Sequence, residues 1–468
     1  MLFPTMTFAI FFLIVFSVAW SLDRENGRRK AFLVLASWVF YGWWDWRFIG
    51  LLIASATLNF LVAELIDRAG TQRSKKWLVA LGVAINLTIL GFFKYYGFFV
   101  EQLGDVLKLF GWQRDLPLLQ VVLPVGISFF TFQGISYVVD VYRGHCQKAR
   151  SLLDIMLLMS FFPHLVAGPI VRASDLLPQF DQTPRLSRAM VSHALILIVW
   201  GLFKKTVIAS ELSVGLVDPV FFDPSSHSAL DLLAATYGYA AQIYCDFSAY
   251  SDIAIGVAGL LGYRFPRNFD QPYRAASLQD FWRRWHISLS SWLRDYLYIP
   301  LGGGRGAEWK ICRNLMITML LGGLWHGAAW TFVAWGALHG GVLVFERLWK
   351  KFKPAGWPRL PAILGILITF HIVCLSWILF RAESFSLALD FLAGFRSWGP
   401  ATVATPFLVS LIVIGLGMHF LPPRAGEAFA GMGKYLPSPA LGAAAAALML
   451  VIEAVRPEGI APFIYFQF

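Results

Sequence analysis

Charge is scarce in this chain, and that scarcity excludes more than any motif does. Asp, Glu, Lys and Arg make up 14% of the 468 residues, against about a quarter in a soluble domain. Apolar residues make up 57%, and the mean hydropathy is +0.62. A length that allows two or three soluble domains is also what one membrane bundle of about ten spans uses, and no soluble domain can be cut out of it. Cysteine is sparse too. Cys146, Cys245, Cys312 and Cys374 lie far apart with no C-x-x-C pair, so they say nothing about redox compartment. Cys245 and Cys374 fall in apolar runs and read as small hydrophobes.

Several chemistries are missing at the level of motif. The sequence has no H-E-x-x-H, no Walker A loop and no G-x-S-x-G elbow. Gly302 to Ala307 satisfies G-x-G-x-x-A by letter, but it follows Leu-Tyr-Ile-Pro and lacks a βαβ context, so it reads as a glycine turn between membrane elements. Histidines and carboxylates are too scattered for a metal centre, and no metal is expected. The net charge of +11 comes from basic residues in short loops between apolar runs. That placement points to membrane orientation and anionic lipid, not to nucleic acid, and it suits attraction of a polyanionic cytosolic cofactor.

What the chain has is long apolar runs, near 2–22, 31–66, 77–93, 118–142, 152–171, 189–209, 230–262, 311–347, 360–380, 404–421 and 440–455. The first lacks a basic n-region and a small-residue cleavage site, so it is expected to be a retained helix and not a signal peptide. The runs 31–66 and 311–347 are too long for one straight span. Asp45-Trp46-Arg47, beside Trp43 and Trp44, interrupts the first, which predicts a hairpin with its tip at the membrane interface. The loops 23–30 and 67–76 each carry four Lys or Arg, including Arg24. A hairpin puts both loops on one side, and the positive-inside rule makes that side cytoplasmic and the N-terminus external.

The stretch 160–345 is unlike a lipid-facing bundle. His164, Asp246, Asp252, His286, His326 and His339 lie in or beside its apolar segments, and 263–310 is too polar to span and too aromatic for a solvated loop. A re-entrant or interfacial element lining a cavity is the physical solution. His326 sits deep in Leu320-Leu-Gly-Gly-Leu-Trp-His-Gly-Ala-Ala-Trp330. It reads either as a structural imidazole bonded to a carbonyl or as a functional group. Gly322, Gly323, Gly327, Ala328 and Ala329 leave room beside it for close helix packing or for a substrate, with Trp325 and Trp330 as walls. His286, in Gln279-Asp-Phe-Trp-Arg-Arg-Trp-His-Ile-Ser288, is on a different element and reads as part of an interfacial belt or as a partner converging on His326. A neutral imidazole can take a proton from a hydroxyl. His164, His339 and His371 read as structural. Arg283-Arg284, Lys204-Lys205 and Arg185/Arg188 read as a phosphate-attracting mouth or as interfacial snorkelling.

These residues bring a resemblance. The chain resembles the membrane-bound O-acyltransferase family, in its bacterial alginate O-acetyltransferase branch. The resemblance rests on Phe162-Pro-His-Leu-Val-Ala-Gly-Pro-Ile170, Gly201-Leu-Phe-Lys-Lys205, Gln242-Ile-Tyr-Cys-Asp-Phe-Ser-Ala-Tyr-Ser-Asp252 and Phe265-Pro-Arg-Asn-Phe-Asp-Gln-Pro-Tyr273. Its most specific blocks run from Phe281 to Pro300 and from Gly323 to Trp330, and the end, Pro462 to Phe468, is similar to that branch as well. Ser210 is a departure, since relatives often carry Asp there.

The resemblance implies an all-α polytopic membrane protein, a single integral domain over 1–468 with a ring of helices and re-entrant elements around a central tunnel. It maps the family's invariant histidine onto His326 and the second family position onto His286. It implies no permanently bound cofactor, acetyl-CoA as acyl donor, and a periplasmic or membrane-anchored partner that completes O-acetylation of an exopolysaccharide outside the bacterial inner membrane. His326 is then expected as general base, with His286 orienting the thioester or stabilising the oxyanion. Trp282, Trp285, Trp325 and Trp330, with Asp246, would line the tunnel, and Arg283, Arg284, Lys204 and Lys205 would meet the donor's phosphates. The rivals are acetylation of peptidoglycan or cellulose, D-alanylation of teichoic acid, a transporter or flippase, and a scaffold for polysaccharide export. The absence of an inverted repeat speaks against a transporter.

Overall fold

Every regular element is helical among the residues that this computed structural model describes, namely 1–22, 25–111, 119, 121–358, 360–422, 437–455 and 462–464. Arg24 and residues 465–468, which carry part of the basic-loop and C-terminal readings above, lie outside that set. Among the described residues four helices are long and apolar enough to cross a membrane: Arg47–Arg68, Gln72–Leu109, Arg188–Phe222 and Ala362–Arg381. Shorter apolar helices accompany them. An all-helical chain is what hydrocarbon permits, because each backbone amide finds its acceptor within the same segment. By internal contacts the chain divides into two compact units, one of residues 1–185 with 327–329 and one of 186–326 with 330–468.

In the first unit the expected hairpin is present. Helix Asn26–Asp45 stops, and Arg47–Arg68 begins after a single residue, Trp46, which is 75% exposed. Asp45 accepts three guanidinium contacts from Arg47, at 3.0, 3.1 and 2.6 Å, across the tip. The run 152–171 does not form one span. It gives a nine-residue helix, Leu152–Ser160, entered through a Ser151–Asp154 capping box, and then a single turn, Phe162–Leu165, with Pro163 in it. Its residues are buried inside the unit, where His164 Nε2 meets the Leu158 carbonyl at 3.0 Å.

The second unit is built on Ala229–Leu260, a 32-residue helix about 48 Å long that is buried along most of its length. Helix Arg188–Leu202 lies against it through glycine. A Cβ on Gly201 would stand 2.9 Å from the Ala249 carbonyl oxygen, and one on Gly256 would stand 2.7 Å from that of Ala194. The run 311–347 is broken as its length required, into Glu308–His326 and Trp330–Phe352, with His326 the last residue of the first helix. These two helices meet backbone to backbone. A Cβ on Gly323 would lie 2.2 Å from the Phe332 carbonyl oxygen, and one on Gly336 would lie 2.4 Å from that of Met319. Close packing, and not open space, is therefore the function of Gly323.

Gly336→Ala is expected to destabilise the protein by about 1–3 kcal/mol through this overlap. Gly341→Ala, five residues along the same helix with nothing within 4 Å of its added carbon, is the control and should leave the thermal midpoint in detergent unchanged. Equal midpoints for the two variants would refute the backbone contact.

Candidate active site

Residues 263–310 supply the site. Helix Leu278–Arg284 and helix Ile287–Leu293 are separated by Trp285 and His286, and His286 has φ +44° and ψ 55°. A residue with a Cβ avoids that conformation unless its surroundings hold it there. Asn268 does the holding. Its carbonyl accepts the Ile287 N–H at 2.9 Å, and its side-chain Oδ1 accepts the Ser288 N–H at 3.1 Å and the Ser288 hydroxyl at 2.8 Å. The same Oδ1 lies 3.2 Å from His286 Nδ1, and Asn268 Nδ2 donates to Ser251 Oγ at 3.1 Å.

His286 and His326 come together through Trp325, whose ring centre is 6.0 Å from the first imidazole and 5.0 Å from the second. All three side chains are buried. Two further rings stand against His326, Trp335 and Phe380, each at 5.1 Å, while Phe247 meets His286 edge-on at 4.6 Å. Trp285 is buried against Phe269 and Trp377, both at 5.1 Å. The pair thus sits within a wall of aromatic rings.

His339 has a different environment. Trp282 Nε1–H donates to its Nδ1 at 3.3 Å, and its Nε2–H donates to Ser376 Oγ at 2.9 Å, which in turn donates to the Val373 carbonyl at 2.7 Å. Both ring nitrogens are in use, so His339 anchors Trp282. His371 likewise donates from Nδ1 to the Leu367 carbonyl at 2.7 Å and accepts from the Tyr237 hydroxyl at 2.9 Å.

A cavity of about 1260 Å³ opens beside this centre. Trp282 and Ile287, on either side of His286 in the chain, line it, although neither His286 nor His326 does. Its charged lining is Arg283, Arg294, Arg347, Lys350 and Lys351 against Glu308 and Glu346. Glu346 accepts the Leu278 and Gln279 N–H groups at 2.6 and 3.2 Å, capping the short helix. Arg347 and Lys351, both paired with Glu308, hold its carboxyl below the usual carboxylate range. The surplus is positive.

Other residues singled out in the sequence lie elsewhere. Trp330 is 54% exposed. Arg284 is taken up by Asp280 at 2.9 Å and by the Asp270 carbonyl at 3.3 Å. Lys204 and Lys205 are buried. Lys204 Nζ meets Asp252 at 2.7 Å and Ser248 at 2.6 Å, and Lys205 Nζ meets Asp246 at 2.8 Å. A π-turn over Phe203–Ala209 lets two consecutive lysines both face inward. Such paired ammonium groups have neither exposure nor unmet charge to give a phosphate, so the donor-binding expectation moves off them. Asp246 also accepts the Ile464 N–H at 3.0 Å, which makes it an internal anchor and not a cavity wall.

Among the described residues no group of three His, Cys, Asp or Glu could hold a metal ion. The residues the sequence did not single out are Asn268, Ser288, Ser376, Trp335 and Phe380. Asn268 lies in a quoted motif, but only its distance to His286 gives it a role.

Comparison with known proteins matches residues 147–385 to the model of MBOAT, the membrane-bound O-acyltransferase family. The chain belongs to this family. That acyltransferase match takes in the His286 and His326 elements. A probable alginate O-acetylase of Azotobacter vinelandii is 38% identical over 100% of both chains. One of Pseudomonas aeruginosa is 41% identical, covering 85% of this chain and 75% of its own. A peptidoglycan O-acetyltransferase of Helicobacter pylori is 38% identical over 78% of this chain and 73% of its own. This protein is an O-acyltransferase of the membrane.

Removing one partner of a buried pair leaves a bare charge, whereas removing both leaves none. Lys205→Met is expected to cost about 3–5 kcal/mol. Lys205→Met with Asp246→Leu should recover most of the thermal midpoint in detergent. A double variant no better than the single one would show that the pair is not what holds this region.

Proposed function

We propose that this enzyme carries an acetyl group from cytoplasmic acetyl-CoA to hydroxyls of an extracytoplasmic polysaccharide, an alginate-like exopolysaccharide, with a periplasmic or membrane-anchored partner completing delivery. The observation that carries the reading is the similarity, along the whole chain, to an alginate O-acetylase. The large cavity supports it, because its positive lining suits an anionic donor and it reaches Trp282, which His339 anchors beside the aromatic wall. On this reading the bacterial inner membrane holds the protein with its N-terminus on the periplasmic side. Arg283 is the basic candidate of the expected set that remains for the donor's phosphates. His286 and His326 flank the reacting carbon, one removing the hydroxyl proton and the other stabilising the oxyanion. The rings of Trp285, Trp325 and Trp335 keep water from the thioester. Peptidoglycan is the second acceptor to test, given the identity to the Helicobacter pylori enzyme.

The test uses purified protein in nanodiscs with acetyl-labelled acetyl-CoA and oligouronate or peptidoglycan fragments. Wild type is expected to release CoA and pass on label. His326→Ala should lose about 10²–10⁴ of the rate while still binding acetyl-CoA. Arg283→Ala should raise KM for acetyl-CoA and leave kcat close to wild type. Full activity in His326→Ala would remove that residue from the chemistry. If wild type does not turn over with any acceptor and partner, the transporter reading moves to the front.

A further inference from the structure

A second pocket, of about 380 Å³, lies in the same unit as the large cavity, at the other end of its helices. Helix Ala362–Arg381 measures the separation. Its earlier part, from Gly365 to Ile372, lines the large cavity, and its last residue, Arg381, lines the small pocket. Its 20 residues rise about 30 Å, the thickness of a membrane's hydrocarbon. Helix Glu308–His326 runs the same course. Glu308 lines the large cavity, and His326 ends the helix with its ring 5.1 Å from that of Phe380, the residue before Arg381. The small pocket therefore stands at the His326 end of both helices, away from the basic mouth.

The chemistry of this pocket is that of a few polar groups on an apolar wall, as in small-ligand sites. Arg381 Nη2 donates to Asp218 Oδ1 at 2.7 Å, and Ser213 Oγ donates to Asp218 Oδ2 at 2.7 Å. The guanidinium carbon lies 5.9 Å from the centre of the Phe221 ring. These contacts hold a planar group that has further N–H donors to offer. Glu383, exposed beside it, brings a carboxylate that only accepts. Val214, Leu387 and the ring of Phe222, which is 80% exposed, form apolar wall. A lone anion entering here meets Asp218 and Glu383, and a lone cation meets Arg381. Neighbouring hydroxyls of a sugar avoid both conflicts, since one accepts from Arg381 while the next donates to Glu383, and the ring's C–H face covers Phe222. Resting on the acetyl-transfer reading above, we propose that this pocket binds the acceptor polymer. It takes the hydroxyl edge of one sugar ring and leaves any carboxylate of that ring outside. The donor then approaches from the basic cavity and the acceptor from the opposite end of the same helices.

Direct binding separates this inference from the acetyl-transfer reading. Full-length enzyme in nanodiscs is equilibrated with a fluorescently labelled oligouronate. It is also given the same oligomer with its carboxyls reduced to alcohols, and the same oligomer with its hydroxyls acetylated. The carboxyl-reduced form should bind at least as tightly as the oligouronate. The acetylated form, which has lost its donors, should bind about tenfold or more weakly. Phe222→Ala and Glu383→Ala, both at exposed positions, should each weaken oligouronate binding about tenfold with an unchanged thermal midpoint. They should raise KM for the acceptor by the same factor and leave kcat and KM for acetyl-CoA as in wild type. Binding that disappears on carboxyl reduction would overturn the assignment. So would wild-type affinity in both variants, or no binding of any form by wild type. Variants that bind the oligomer normally but slow turnover only when the periplasmic partner is present would give the pocket to that protein instead. A wild type that binds the oligomer yet transfers no acetyl group would strike the acetyl-transfer reading and leave the pocket standing.

Discussion

Hydrocarbon has no partner to offer a backbone amide, a carboxylate or an imidazole, and each feature of this protein answers to that shortage. Helices satisfy the backbone within themselves. Several polar side chains that enter the interior bring their partners with them: Lys204 with Asp252, Lys205 with Asp246, Trp282 with His339 and Ser376. The buried Nε2 of His286 has no hydrogen-bond partner among the described residues.

Three histidines show how little residue type says by itself. His339, His286 and His326 are all buried in the same unit, on or next to aromatic rings. His339 has both nitrogens bonded and acts as a spacer between helices. His286 has one nitrogen committed to Asn268 and the other unmet. His326 ends a helix among three rings. The differences come from neighbours many positions away in the chain.

Much of the architecture was legible in advance because its causes are local. A single interruption at Asp45-Trp46-Arg47 was enough to predict the hairpin, and the excess length of 311–347 was enough to predict a break. The polarity of 263–310 signalled a non-spanning element. The run 152–171 misled because average hydropathy does not register that Pro163 ends a helix. Lys204 and Lys205 misled for a different reason. A dibasic pair looks the same whether its carboxylates are on a ligand or on Asp246 and Asp252, some forty residues further along. The role of Asn268 was illegible on the same ground, since it depends on a fold that brings residue 268 against residue 286.

The glycine seam between Glu308–His326 and Trp330–Phe352 has a consequence for how such an enzyme can change over time. Because the two helices touch through backbone at Gly323 and Gly336, the seam uses hardly any side-chain volume, and His326 rides on a hairpin that behaves as one stiff strut. The remaining faces of both helices are then at liberty to vary. Val342, Leu343 and Phe345 along the cavity can be exchanged for other shapes without disturbing the strut that carries the histidine. Uncoupling the scaffold from the lining in this way lets the shape of the cavity change by lining substitutions alone.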